Sequence, residues 1–194
     1  MDLTPCDAPF TDAAWVFEML PRGYRMLAEA GAGQARLRSR HGADTSDRFA
    51  EVREALEALP LGDALLDGEL CVFDRAGRLD VERLHRRGVA LTPDASDGRL
   101  TYCIFDLLRH DGCDLRREPW SQRRQRLEAL PLASASPLCL QRSLPTHGEW
   151  LHRQASVLGR PGIAARRRDA PYRAGPSSDW RWIAAAAAPP GRHS

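Results

Sequence analysis

A segment near the N-terminus, Glu18 to Leu27 with the sequence EMLPRGYRML, carries an acid, a glycine turn and two arginines directly after a short apolar run. Group-transfer chemistry at such a segment needs a nucleophile that can lose a proton. All 28 basic residues are arginine, so no lysine amine exists anywhere in the chain. Arginine cannot replace it, because guanidinium stays protonated at any biological pH. The segment therefore raises the question of whether it catalyses a reaction or only binds.

Further polar and aromatic candidates lie in two apolar stretches, ALLDGELCVFD and LTYCIFDLL. Both stretches are typical of strands, and a strand period of two places Asp67 and Glu69 on one face. Phe105 either stacks on a ligand or fills the core. Glu69 either binds a ligand or is a hydrogen-bonding acid at a strand end. Arg25 and Arg40 are open to the same choice between ligand contacts and structural ion pairs.

The length of 194 residues fits one domain with a short tail. A net charge of +2 argues against a polycation that coats nucleic acid. Arginines nevertheless concentrate in residues 116–126 and 160–192, and they form either solvated helix and loop faces or a phosphate-contacting surface. Asp106 and Asp111 are expected to be turn and cap acids rather than metal ligands.

The five cysteines form no C-x-x-C pair, which predicts reduced thiols in a cytosolic protein. Two of them, Cys71 and Cys103, lie in strand-like runs and are expected to be small core residues. The N-terminus has early acids and no apolar core of a signal peptide. The longest apolar stretch, WIAAAAAPP, is too short to span a bilayer. We therefore expect a soluble protein of the cytoplasm, with no membrane association.

Apolar periodicity and turn residues predict an α+β fold with mainly antiparallel sheets, because hairpin-type links dominate over regular β-α-β alternation. Strands are expected in AWVFEM, ARLRSR, ALLDGELCVFD, LTYCIFDLL, GIAARR and WRWIA, with RLDVERL returning after the turn at residues 75–77. Helices are expected in TSDRFAEVREALEALP, in SQRRQRLEAL from Ser121, and in THGEWLHRQASVLG. The last of these has Thr146 and Glu149 at capping-box spacing. The residues AAAPPGRHS at 186–194 are expected to be a frayed tail.

Five blocks in order resemble the adenylation domain of ATP-dependent DNA ligases, in particular the bacterial end-joining type. The blocks are WVFEMLPRGYRML with ARLRSRHG and RFAEVREALEALP, then ALLDGELCVFDRAGRLDVERL, YCIFDLLRHDGCDLRREPWSQRRQRLEAL and RPGIAARRRDAPYRAGPSSDWRWI. The resemblance implies an ATP-grasp-like nucleotidyltransferase fold, with two antiparallel sheets flanked by helices around a nucleotide cleft. It further implies an N-terminal extension at 1–12, the adenylation domain at 13–185, a disordered tail at 186–194 and no OB-fold domain.

The resemblance assigns nucleotide-binding roles to six residues. Glu18 matches the acid beside adenine, Glu69 the acid at the ribose hydroxyl, and Phe105 the ring that stacks on adenine. Arg25 and Arg40 match arginines near the ribose and phosphate. The sixth residue, Arg166, replaces the lysine that closes the family's EGIVAK block and retains its charge.

The residues that carry the family's chemistry are replaced. In such enzymes a lysine attacks the α-phosphorus of ATP, and the enzyme-bound AMP then passes to a DNA 5′-phosphate. Leu20 occupies the nucleophile position, Arg22 the position of a nearby Asp, and Pro161 that of the metal-associated Glu. Two lysines of the final block fall at Trp182 and Ala184. The resemblance therefore implies no catalytic residue and no metal ligand in this chain.

Three hypotheses for function follow. The first is a pseudoenzyme accessory to DNA repair and end joining, with no required cofactor and weak binding of ATP or AMP. Its partners would be DNA, bound weakly and without sequence preference, and end-joining repair proteins; the chain would be a monomer in the bacterial cytoplasm or nucleoid. The second is an active ligase-class nucleotidyltransferase, which would need Mg²⁺ and a nucleophile that the sequence does not provide. The third is a decaying fragment without function.

Overall fold

A computed structural model describes residues 2–89, 98–134 and 136–185, which form eleven strands and four α-helices. The strands are β1 (Asp2–Pro5), β2 (Trp15–Met19), β3 (Tyr24–Gly31), β4 (Gln34–Ser39), β5 (Ala64–Phe73), β6 (Arg99–His110), β7 (Cys113–Asp114), β8 (Leu138–Leu140), β9 (Ser143–Pro145), β10 (Gly162–Arg167) and β11 (Pro176–Ala184). The helices are α1 (Ala50–Glu57), α2 (Val81–Val89), α3 (Trp120–Glu128) and α4 (Gly148–Val157), with a 3-10 turn at Pro131–Ser134.

The chain divides into two compact units. The terminal unit combines residues 1–20 with residues 142–194, and the central unit is residues 21–141. Each unit contains one sheet: β1-β11-β10-β2-β9 in the terminal unit, and β4-β3-β5-β6-β7 in the central unit, where β8 also pairs with β6.

In the central unit, long antiparallel strands carry the core. Side chains of β3 alternate, with Met26, Ala28 and Ala30 buried, whereas β6 is buried from Leu100 to Leu108. Alternation is typical of a strand with one buried face, and continuous burial indicates a strand covered on both faces. Helix α1 adds Val52 and Leu56 to the same core.

In the terminal unit, helix α4 packs against one face of the sheet. Leu151 and Ala155, four residues apart on α4, join Phe17, Ile163 and Ile183 of β2, β10 and β11 in a second apolar core. The two halves of this unit are far apart in the sequence, and the antiparallel pairing of β10 with β2 joins them.

The α+β fold and every predicted strand except one are confirmed. The sheets are mixed rather than wholly antiparallel, because the pairs β1–β11 and β6–β8 are parallel. The segment RLDVERL does not return as a strand: Leu79 forms an isolated bridge to Phe73, and helix α2 begins at Val81. Asp80 explains the helix, since its carboxylate accepts the backbone N–H of Arg83 at 2.9 Å as a helix cap.

The capping box predicted at the start of α4 is wrong. Thr146 has φ 58°, and its hydroxyl lies 3.4 Å from Nδ1 of His147. His147 is the N-cap and makes no side-chain cap hydrogen bond.

The helix over residues 45–60 is shorter than predicted, from Ala50 to Glu57. Strand β11 begins at Pro176, earlier than expected, and β1 forms within the predicted extension at 1–12. The tail expected at 186–194 lies outside the described residues.

Among the described residues, none of the helices is long and apolar enough to cross a membrane.

The arginine run at residues 116–126 is not a uniformly solvated face. Arg123 is fully buried on α3 and donates from Nε and Nη2 to both carboxylate oxygens of Asp106, each at 2.8 Å. Asp106 is therefore a buried ion-pair acid on β6 and not a turn or cap residue. At the surface, Arg116 pairs with Asp114, and its hydrogen bonds hold the pKa of that carboxyl well below its usual range.

We predict that Asp106→Ala lowers the free energy of unfolding by about 3–5 kcal/mol, because Arg123 would keep an uncompensated charge in the core. The paired change Asp106→Leu/Arg123→Met removes both charges and is expected to cost less than either single change. Urea unfolding measures both. Asp114→Ala, which breaks an exposed pair, is the matched control and should leave the midpoint unchanged. Equal effects of Asp106→Ala and Asp114→Ala would contradict the prediction.

Candidate nucleotide-binding site

The predicted site residues fall in both units. The terminal unit contains Glu18 and Arg166, together with Leu20, Pro161, Trp182 and Ala184, the four positions in this unit at which the sequence predicts loss of the family's catalytic groups. The central unit contains Arg25, Arg40, Glu69 and Phe105.

In the terminal unit, these four positions lie at one end of the sheet. Glu18, Ala164 and Trp182 are register partners across β2, β10 and β11, so their side chains share a face. Leu20 follows Glu18 by two residues, and Ala184 follows Trp182 by two residues. Both therefore extend the same face of the sheet.

The backbone fixes this end of the sheet. The N–H of Leu20 donates to the carbonyl of Gly162 at 3.0 Å, and the N–H of Ala185 donates to the carbonyl of Pro161 at 3.0 Å. Residues that are far apart in the chain are therefore neighbours here. Leu20 and Trp182 are half-buried, so this end of the face presents an aliphatic and an aromatic side chain.

Glu18 and Arg166, both predicted to bind the nucleotide, pair with each other. Nε of Arg166 donates to Oε2 of Glu18 at 2.8 Å, and the Ser143 hydroxyl donates to Oε1 at 2.6 Å. The guanidinium carbon of Arg166 lies 3.9 Å above the ring of Trp180, a cation–π contact. Both charged groups are buried, with 4% and 1% of the side chain exposed for Arg166 and Glu18. The acid thus has two hydrogen-bond donors and a counter-charge supplied by the protein.

In the central unit, Arg25 and Glu69 are register partners on β3 and β5. Arg25 makes a bidentate ion pair with the buried Asp67, from Nε to Oδ1 at 3.0 Å and from Nη2 to Oδ2 at 2.6 Å. Oε1 of Glu69 accepts the backbone N–H of Gly23 at 2.5 Å and so fixes the turn before β3. Glu69 is half-buried.

The structure brings Phe105 to the same strands. Its ring centroid lies 5.7 Å from the guanidinium carbon of Arg25, and its side chain is 5% exposed. Arg40 is exposed in the turn after β4, one step beyond the register pair of Met26 with Ser39. The structure thus groups Arg25, Glu69 and Phe105, with Arg40 at the edge.

Three partners were not predicted as site residues. Asp67 holds Arg25, and its shared face with Glu69 was the available sequence signal. Ser143 contacts Glu18 from a strand 125 positions away, where no local pattern identifies it. Trp180 contacts Arg166 from the next strand along the chain, as its register partner. Among the described residues there is no group of three His, Cys, Asp or Glu placed to hold a metal ion.

Comparison with known proteins identifies the class. Residues 8–183 match the family model for the ATP dependent DNA ligase domain. This chain belongs to the ATP-dependent DNA ligase family, as an adenylation domain of the LigD end-joining type. The resemblance and the nucleotidyltransferase fold expected from the sequence are thereby confirmed.

Individual relatives are similar over most of the chain. The multifunctional non-homologous end joining protein LigD of Pseudomonas aeruginosa is 35% identical over 170 residues, which is 86% of this chain and 19% of that protein. The Mycobacterium tuberculosis LigD is 35% identical over 161 residues, covering 83% of this chain and 20% of that protein. The chain therefore spans about a fifth of the length of these curated relatives.

Solved structures show the same fold. The ligase domain of M. tuberculosis LigD matches with a TM-score of 0.76 at 30% identity, covering 93% of this chain and 60% of that chain. A mycobacterial DNA ligase D complexed with ATP and MES matches with a TM-score of 0.75 at 33% identity, covering 94% of this chain and 60% of that chain.

We predict that Arg166→Met lowers the Tm by roughly 6–20 °C, which corresponds to the 3–5 kcal/mol typical of a broken buried pair. Glu18 would keep a buried charge without the guanidinium of Arg166 as its counter-charge. The neighbouring Arg167→Met is the matched control, because Arg167 makes an exposed pair with Asp169 and should be replaceable without change in Tm. Thermal unfolding followed by circular dichroism gives both values. If the two variants melt together, the pair of Glu18 with Arg166 does not stabilise the fold.

Proposed function

We propose that this chain is a ligase-family adenylation domain that does not transfer AMP, and that it acts as an accessory binding module for end joining in the bacterial cytoplasm. The observation that carries the proposal is Leu20 at the nucleophile position of the family. An aliphatic side chain has no lone pair to attack phosphorus. The chain contains no lysine that could act from another position.

The neighbourhood of Leu20 supports the same conclusion. The positions of the metal acid and of two phosphate cations carry Pro161, Trp182 and Ala184, and all lie at the end of the sheet where Leu20 is. A phosphate-bearing ligand would meet apolar groups there. The residues that surround Pro161 do not fit Mg²⁺, since a divalent cation of this kind needs oxygen ligands such as carboxylates. We therefore assign no step to a metal.

The pattern of losses favours a retained binding module over a decaying fragment. Four of the replaced positions, Leu20, Pro161, Trp182 and Ala184, lie at one end of the terminal sheet. Two buried ion pairs, Glu18 with Arg166 and Asp106 with Arg123, keep both partners. Single losses in such pairs cost several kcal/mol. A chain drifting without constraint would be expected to lose one partner of these pairs.

DNA and end-joining repair proteins are the partners proposed from the family. Within residues 116–126, Arg116, Arg124 and Arg126 pair with Asp114, Glu128 and Glu118. These acids reduce the positive potential that the segment can offer to phosphates. We propose that any contact with DNA is weak, independent of sequence and steeply salt-dependent.

We predict that the protein forms no covalent AMP adduct with ATP and Mg²⁺, as read by intact-mass spectrometry. The variant Leu20→Lys should also remain unmodified, because the metal acid and phosphate cations would still be replaced. The ligase domain of M. tuberculosis LigD, treated alike, is the control for the assay. A stable adduct on the unaltered protein would support the alternative of an active ligase-class enzyme. An adduct on Leu20→Lys alone would place the loss of activity at that residue only.

We also predict that a purine nucleotide binds weakly and without metal. Charge-assisted hydrogen bonds contribute about 1.5–3 kcal/mol each, so two missing cations weaken ATP by roughly two to four powers of ten. From a micromolar site, the Kd becomes roughly millimolar or weaker, with AMP and ATP alike. We expect the half-buried ring of Trp182 to take up space that a phosphate group would need, which would weaken binding further.

Ligand-observed NMR with AMP, ATP and ATP plus Mg²⁺ measures this binding. Phe105→Ala should abolish the AMP signal through loss of stacking. Phe49→Ala removes another buried ring of the central unit and should retain the signal wherever the variant stays folded. Tight, Mg²⁺-dependent ATP binding would refute the assignment of the site.

A further inference from the structure

Three cysteines lie on neighbouring strands of the central sheet. Cys71 is on β5, Cys103 on β6 and Cys139 on β8. In the parallel pair of β6 with β8, Cys103 and Cys139 are register partners. All three are free thiols.

The thiols of Cys71 and Cys139 both lie close enough to Cys103 to affect its pKa. The Cys139 thiol donates a hydrogen bond to the carbonyl of Leu140, with the sulfur and the oxygen 3.8 Å apart. The pairing of β6 with β8 thus places Cys103 and Cys139 side by side.

The register pairing of Cys103 with Cys139 is compatible with a disulfide. Paired strands lie about 4.7–4.9 Å apart, which falls within the Cα separations of about 4.4–6.8 Å that a disulfide accepts. Register partners in a sheet also point to the same face. Rotation about the two side chains is then sufficient to bring the sulfurs together.

We propose that Cys139 and Cys103 form an oxidisable dithiol site that takes hydroperoxides as its substrate class. Cys139 is exposed and meets the oxidant, whereas Cys103 is buried, with 5% of its surface exposed. The two residues thus have distinct parts, one accessible to peroxide and the other held beside it to complete the disulfide.

The reaction balances with the peroxide as the oxidant. The Cys139 sulfur, as thiolate, attacks the terminal peroxide oxygen; the O–O bond breaks, and the leaving alkoxide or hydroxide takes a proton. Cys139 is then a sulfenic acid. The sulfur of Cys103 attacks that of Cys139, an S–S bond forms, the S–O bond breaks, and water leaves with the thiol proton. Two thiols and one hydroperoxide give one disulfide, one alcohol or water, and one water.

The dithiol adjoins the group of Arg25, Glu69 and Phe105. Cys103 is the register partner of Glu69, which holds the turn at Gly23. A disulfide would therefore cross-link β6 to β8 next to residues predicted to bind the nucleotide. The inference itself does not depend on the proposed function, since it requires only the thiols and their strands.

The reaction should be slow at neutral pH. Interaction with the Cys103 thiol, followed by burial, raises the pKa of the Cys139 thiol. The Cys139 thiol lowers the pKa of Cys103, but the Cys71 thiol and burial outweigh this effect, so the pKa of Cys103 is also raised. Glu69, which faces Cys103, raises that pKa further, whereas Arg99 lowers that of Cys139. Because the thiolate reacts, the rate should increase about tenfold per pH unit between pH 7 and 9.

The experiment treats the full chain with hydrogen peroxide, blocks free thiols, and maps tryptic peptides by mass spectrometry without reduction. Each of the five cysteines falls on its own arginine-bounded peptide, Cys103 on residues 100–109 and Cys139 on 127–142. We expect a cross-linked pair of these two peptides, reversible by dithiothreitol. The cross-link should form faster at higher pH.

Two variants test the assignment. Cys139→Ser should abolish the cross-link, whereas Cys113→Ser, which removes another exposed thiol of the same unit, should leave it intact. Each variant is compared only if its circular dichroism spectrum equals that of the unaltered protein. If a variant does not fold, the peptide map of the unaltered protein still tests the proposal. Cross-links to other cysteines only, links only between molecules, or over-oxidation of Cys139 with Cys103 still reduced would each overturn the proposal.

Discussion

A charge inside a protein sheet must be neutralised where it lies, because removing a carboxylate or guanidinium from water costs several kcal/mol per ion. Glu18 in one unit and Asp106 in the other are both fully buried, and each meets an arginine at 2.8 Å. This constraint explains why Arg166 and Arg123, which the sequence suggested as ligand-facing or solvated, turn inward. It also fixes strands that the chain order keeps apart, since Glu18 and Arg166 are separated by 148 positions.

The need to neutralise buried charges also explains which parts of the structure the sequence could predict and which it could not. Strands such as β6 were predictable because apolar side chains specify burial by their own chemistry, whatever lies opposite. The location of Arg123 was not predictable, since an arginine is buried or exposed according to the partner that the fold brings to it. Asp106 is that partner, and it lies on another element. Long-range pairing leaves no mark in local composition.

Local errors have local causes. Helix α2 was missed because its stretch contains few apolar residues, and the cap by Asp80 was not recognised. At Thr146 a cap was predicted that does not form. The spacing to Glu149 is correct for a capping box, but Thr146 has a positive φ, which an N-cap residue does not adopt. For the candidate site, motif spacing supplied the predicted residues, and the structure shows that Asp67, Ser143 and Trp180 contact three of them.

At the end of the terminal sheet, the chain is held by main-chain hydrogen bonds, from Leu20 to Gly162 and from Ala185 to Pro161. Main-chain hydrogen bonds of this kind do not depend on the side chain that a residue carries. Evolution can therefore exchange the side chains at this location while the scaffold that presents them persists. New binding specificities are therefore accessible here through a few substitutions that leave the fold unchanged.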